Sequence, residues 1–148
     1  MHLTELIEEG KMCIHNIKYI GCFFDPGTLG KNLETIARTP LSQTILAPHV
    51  TFRYAPSVVP WDMLGREVTV VVTGYGNDGS NEALKVAFLE LPPGLEALAD
   101  EIEVPHITLS ISDEGKAVNS RSLNYHPTAR FCLTGVFGAM DQGENLHL

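Results

Sequence analysis

Two short segments of the chain, PHVTF at 48–52 and PHITL at 105–109, present the same order of residue types: Pro, His, a β-branched aliphatic, Thr and a large apolar residue. Both are short and rich in β-branched and aromatic neighbours, as strands are. Alternate side chains of a strand share a face. In the first copy His49, Thr51 and Arg53 therefore point one way and Val50 and Phe52 the other. In the second, His106, Thr108 and Ser110 oppose Ile107, Leu109 and Ile111. The apolar faces must be buried, so each strand is committed to a sheet with one face in a core and a polar face toward solvent or a groove. Pro and His are both uncommon residues, which makes chance recurrence of the phrase a poor explanation. A duplicated element with a purely structural role is the alternative to a functional pair.

The rest of the chain supplies partners for these strands. IKYIGCFF (17–24) reads as a buried strand, and REVTVVVTGYG and EALKVAFLEL flank NDGSN, whose Asn-Asp-Gly is a hairpin signal. A last strand lies in ARFCLTGVFGAM. Residues 1–15 predict an amphipathic helix with Leu3, Leu6, Ile7 and Ile14 on one side. DPGTLGKNLETIAR predicts another, with Asp25 as N-cap, Pro26 in the first turn and an apolar stripe at Leu29, Leu33, Ile36 and Ala37. PPGLEALADEI allows one or two helical turns, and 141–148 reads as a flexible tail. No low-complexity linker divides the chain. The expectation is one α+β domain over 1–148, dominated by antiparallel strands.

Composition narrows the function classes. An apolar share of 44% in 148 residues suits a soluble globular domain with a real interior. No apolar run is long enough for a membrane span, and the start MHLTELIEEGK has acids where a signal peptide would have cations. A cytoplasmic location is expected. Cys13, Cys22 and Cys132 have no CxxC spacing and sit among apolar neighbours, so they read as buried free thiols. A formal charge of −8 with ten scattered basic residues disfavours a protein that tracks long nucleic acid, since that binding depends on many Lys and Arg displacing counterions. A nucleotide partner should be small, or the end of a polymer.

Two imidazoles and two hydroxyls around one cavity suit a phosphodiester. A neutral imidazole can take a proton from water or a ribose hydroxyl while an imidazolium gives one to the leaving oxygen. Threonine hydroxyls can donate to the non-bridging oxygens, where charge builds in the transition state. The arrangement calls for no cofactor and no metal, and neither motif offers a third zinc ligand at short spacing.

PHVTF and PHITL resemble the paired His-x-Thr signatures of the 2H phosphoesterase superfamily, the group of LigT-like RNA ligases and cyclic phosphodiesterases. The order strand, helix, His strand, two strands, His strand, last strand is also similar. The resemblance implies two lobes of antiparallel sheet with outer helices, a central groove, and metal-independent cleavage of 2',3'-cyclic phosphates or related bonds. It implies that His49 and His106 are the acid and base and that Thr51 and Thr108 bind phosphate. The histidines stand closer in sequence than in larger members, as in a compact variant nearer the RNA-repair cyclic phosphodiesterases.

Three readings follow. The first is hydrolysis of a 2',3'-cyclic phosphate on an RNA end or small nucleotide. The second is hydrolysis of a cyclic di- or oligonucleotide messenger, as in some compact relatives encoded by phages. The third is a module that holds a nucleotide or RNA end without turnover. Around the motifs, Arg53 is a candidate for phosphate or for a surface ion pair, and Ser110 has the same geometry. Tyr19 and Phe23 are candidates for stacking on a base or for core packing. Ser120 and Ser122 are candidate caps, while His15 and His126 lie outside the repeats and carry no assigned role. The glycine-rich GYGNDG lacks the spacing of a phosphate loop and reads as a turn.

Overall fold

The computed structural model describes residues 16–148. The N-terminal helix expected at 1–15, with Cys13 and His15, lies outside the described residues. The chain is a mostly antiparallel β-protein with a few short helices, an α+β architecture in coarse class. Nine strands are described: β1 (Ile17–Phe23), β2 (Gln43–Thr44), β3 (His49–Tyr54), β4 (Glu67–Asn77), β5 (Asn81–Glu90), β6 (His106–Ile111), β7 (His126–Pro127), β8 (Cys132–Asp141) and β9 (Leu146–His147). They join one sheet in the order β2-β6-β5-β4-β8-β1-β3, with β7 on β4 and β9 on β8.

Period-two patterning explains most of this. Val68, Val70 and Val72 of β4 are fully buried, as are Leu84 of β5, Ile107 of β6 and Phe137 and Ala139 of β8. Val50 and Phe52 join the same core from β3, and Ile20 and Cys22 from β1. Burying each large aliphatic or aromatic side chain favours folding by about 1.5–3 kcal/mol. The turn between β4 and β5 uses its predicted chemistry. The Asn77 side chain accepts from Gly79 N, the Asp78 carboxylate accepts from Ser80 N and Asn81 N, and Gly79 takes a φ of 86° that favours glycine.

Helix α1 (Pro26–Leu33) begins as its sequence requires, with Asp25 accepting from Thr28 N at 2.8 Å and Pro26 in the first turn. It ends earlier than the apolar stripe suggested. The Thr35 hydroxyl donates to Asn32 O at 2.7 Å, and Ile36 packs on the core from beyond the helix. Helix α2 (Glu96–Asp100) and 3₁₀ turns at Trp61–Met63, Pro93–Leu95 and Ala117–Ser122 follow among the described residues. The closing residues are not left as a loose tail. Asp141 accepts from Gly143 N and Asn145 N, turning the chain back so that β9 pairs with Ala139 and Met140. Cys22 is buried, and burial pushes its thiol up to about 12, whereas Cys132 is exposed because it opens β8 on the face opposite Leu133. No helix among the described residues is long and apolar enough to cross a membrane.

One close approach fixes the strand that carries the first motif. A Cβ on Gly21 would stand 2.4 Å from the Val50 carbonyl oxygen, directly beside Thr51. Gly21→Ala should therefore push β3 away from β1 and cost about 1–3 kcal/mol of stability, as overpacking does. Chemical denaturation of the parent and variant measures it, and an unchanged midpoint would mean that β3 shifts freely.

Candidate active site

The two sequence repeats are also structural repeats. In each, the histidine Nδ1 lies 2.8 Å from the carbonyl oxygen two residues earlier, Ala47 for His49 and Val104 for His106. A carbonyl only accepts, so Nδ1 holds the hydrogen and Nε2 is the free acceptor of the neutral ring. The proline carbonyl before each histidine accepts a backbone N–H at 3.0 Å, Pro48 O from Phe24 just beyond β1 and Pro105 O from Val86 of β5. Each strand then bulges at the residue after the threonine. The β1–β3 register passes from Gly21↔Thr51 to Ile20↔Arg53, skipping Phe52, and the β5–β6 register passes from Ala83↔Thr108 to Glu82↔Ser110, skipping Leu109. Bulges re-aim side chains, and here both do so at the same motif position.

β3 and β6 stand near opposite ends of the strand order, yet they lie against one another because the sheet curls. A groove of ≈ 580 Å³ opens there, lined by Thr51 and Arg53 from β3, His106 from β6, the segment 101–104 that follows α2, and Val118, Arg121 and Ser122 from the 3₁₀ turn. His106 lines this groove, whereas His49 is not among its lining residues; both imidazoles are partly buried. Burial lowers their pKa values below the usual histidine range, against the opposing effect of the carbonyl bonds. His106 adds to the fall at His49, and Arg121 to the fall at His106.

The candidate residues part company from this point. Thr51 lines the groove. Thr108 is buried, and its hydroxyl meets Ser120 Oγ at 2.8 Å. Asn81 Nδ2 also donates to Ser120 Oγ at 3.0 Å, and the Tyr125 hydroxyl donates to the Ser120 carbonyl at 2.6 Å. Ser120 thus does not cap a helix. It pins the 3₁₀ turn to β5 and β6.

Ser110 does not face the groove, contrary to the regular-strand expectation. The bulge aligns it with Glu82, and its hydroxyl donates to Glu82 Oε1 at 2.6 Å while accepting from Leu41 N at 2.9 Å. Tyr19 is not open to a base either. It is buried with Phe23 and Met140, and its ring stacks on that of His49 with centroids 4.6 Å apart. Phe23 lies 5.2 Å from the same imidazole, because β1–β3 pairing sets Phe23 opposite His49. These aromatics hold the ring of His49 in place, and burial pushes the Tyr19 hydroxyl up to about 12.

Arg53 reaches the groove rim, where it is ion-paired with Glu101. Sequence reading missed Arg121, which lines the groove and makes no ion pair with the described residues. Its only signal was an Arg between the two serines of a polar connection, and the Ser120–Thr108 contact that brings it to His106 has no local signature. Among the described residues no group of three or more His, Cys, Asp or Glu is placed to hold a metal ion. No protein-family model matches the chain, and no curated protein matches it.

Proposed function

We propose that the chain is a phosphodiesterase of the 2H type that hydrolyses 2',3'-cyclic phosphates, with the curled sheet serving as the two lobes around its groove. The observation that carries this reading is the matched pair of imidazoles, each oriented by a backbone carbonyl so that Nε2 is left for chemistry. One Nε2, neutral, removes a proton from water as the water oxygen bonds to phosphorus. The other, protonated, gives its proton to the ribose oxygen as the P–O bond breaks, and the product is a phosphomonoester. Thr51 and Arg121 are the donors available to the non-bridging oxygens. Thr108 serves by holding Ser120, and through it Arg121, beside His106. Cyclic di- or oligonucleotide hydrolysis and binding without turnover are the rival readings.

The test is to incubate the pure protein with a nucleoside 2',3'-cyclic monophosphate and excess chelator, following phosphorus by NMR. The cyclic signal should give way to a single phosphomonoester. No turnover, or turnover only on adding a divalent metal, would overturn the proposal.

A further inference from the structure

The groove carries few charges, and they cancel. Among the described lining residues the cations are Arg53 and Arg121 and the acids Glu101 and Glu103. Arg53, the cation that the sequence offered for phosphate, has its guanidinium on the Glu101 carboxylate at the end of α2. Arg121, beside His106, makes no ion pair with the described residues. Two faces near these charges are apolar and open, since Val118 and Tyr54 are 42% and 47% exposed.

We infer that Glu101 is a specificity-determining residue that biases the groove toward ligands with one phosphate, by occupying the guanidinium that a second phosphate would need. The inference rests on the proposed cyclic-phosphate chemistry and narrows its substrate toward a nucleotide with a single anionic group. A phosphate arriving at Arg53 must displace a carboxylate that remains tethered to the same rim, so one ion pair is exchanged for another and a like charge is left nearby. Exposed pairs contribute little to stability, which keeps Arg53 and Glu101 dispensable for folding. The exchange nevertheless removes the gain that a free guanidinium would give a second phosphate. The paired cation thus discriminates against cyclic dinucleotides and RNA, and Arg121, which pairs with none of the described acids, serves the scissile phosphate.

Calorimetric titration with adenosine 3'-monophosphate and adenosine 3',5'-bisphosphate, in chelator and low salt, tests this in the parent, Glu101→Gln, Arg53→Gln/Glu101→Gln and Glu34→Gln. Glu34 is exposed, lies outside the groove lining and controls for net charge alone. The affinity ratio of bisphosphate to monophosphate should rise about two- to fivefold in Glu101→Gln, the order of one exposed ion pair. It should return to the parent ratio in the double variant and stay there in Glu34→Gln. A ratio unmoved by Glu101→Gln, or moved equally by Glu34→Gln, overturns the bias while leaving cyclic-phosphate hydrolysis standing if turnover is seen. Absence of both binding and turnover in parent and Glu101→Gln overturns the two together.

Discussion

Replacing His49 or His106 with Ala should each lower the rate of cyclic-phosphate opening by about a hundredfold or more, the usual loss when a general acid or base is removed. The double variant should lose little beyond the worse single one, because the two imidazoles act as a unit. Neither ring is part of the main core, so both single variants should remain folded. His49 has the larger packing role, stacked on Tyr19 and near Phe23. His49→Phe is therefore the companion variant, since it restores an aromatic ring without a proton carrier. Initial rates with circular dichroism as a folding control decide the matter. Near-normal turnover by either folded Ala variant would remove the paired-histidine mechanism.

The largest loss of stability is expected at Glu82, which is fully buried yet ionised. Arg38 donates to it through Nε at 2.9 Å and Nη2 at 2.6 Å, the Tyr75 hydroxyl at 2.7 Å and Ser110 at 2.6 Å. Burial raises the carboxyl pKa, but these donors outweigh it and hold the group below its ordinary value. Glu82→Ala leaves a guanidinium and two hydroxyls without their acceptor, so it should cost about 3 kcal/mol or more. In a chain of this size that is a fall in melting temperature of roughly 10 °C. The depressed pKa also fixes a pH dependence: the unfolded state binds the proton more readily, so the contribution is present above the unfolded carboxyl pKa and is lost as pH falls through the folded one. Thermal melts of parent and variant from neutral pH into the acid range measure both effects. A variant within about 0.5 kcal/mol of the parent, the range of ordinary surface changes, would show that the cluster is not a strut.

The parts of the fold that depend on neighbours in sequence could be read in advance. Val50 and Phe52 are buried while Thr51 stays at the groove because a strand alternates, and Asp25 caps α1 because its carboxylate can reach the Thr28 amide. What could not be read depends on pairing between distant strands. Alternation alone would put Ser110 at the groove, yet it meets Glu82, because a bulge at Leu109 aligns β5 and β6 in a way no local pattern specifies. Arg53 obeyed the same rule and did reach the groove, but its partner Glu101 comes from 48 residues away. The two-residue strands β2, β7 and β9 are too short for any periodicity to register. In the site, duplication made the histidines legible, whereas Arg121 depends on a buried serine–threonine contact.

The pH dependence of kcat/KM for a nucleoside 2',3'-cyclic phosphate tests the paired-imidazole claim most directly, because it reports the essential acid and base of the free protein. Both histidine pKa values are lowered by burial from 6.5. Below the lower apparent pKa of the pair no base remains, and above the higher one no acid remains. The predicted result is a bell with both limbs and its maximum below pH 6.5, read over the range where circular dichroism shows the fold intact. A rate that rises to a plateau and holds through pH 8 would contradict it, since both imidazoles would then be neutral and neither could protonate the leaving oxygen.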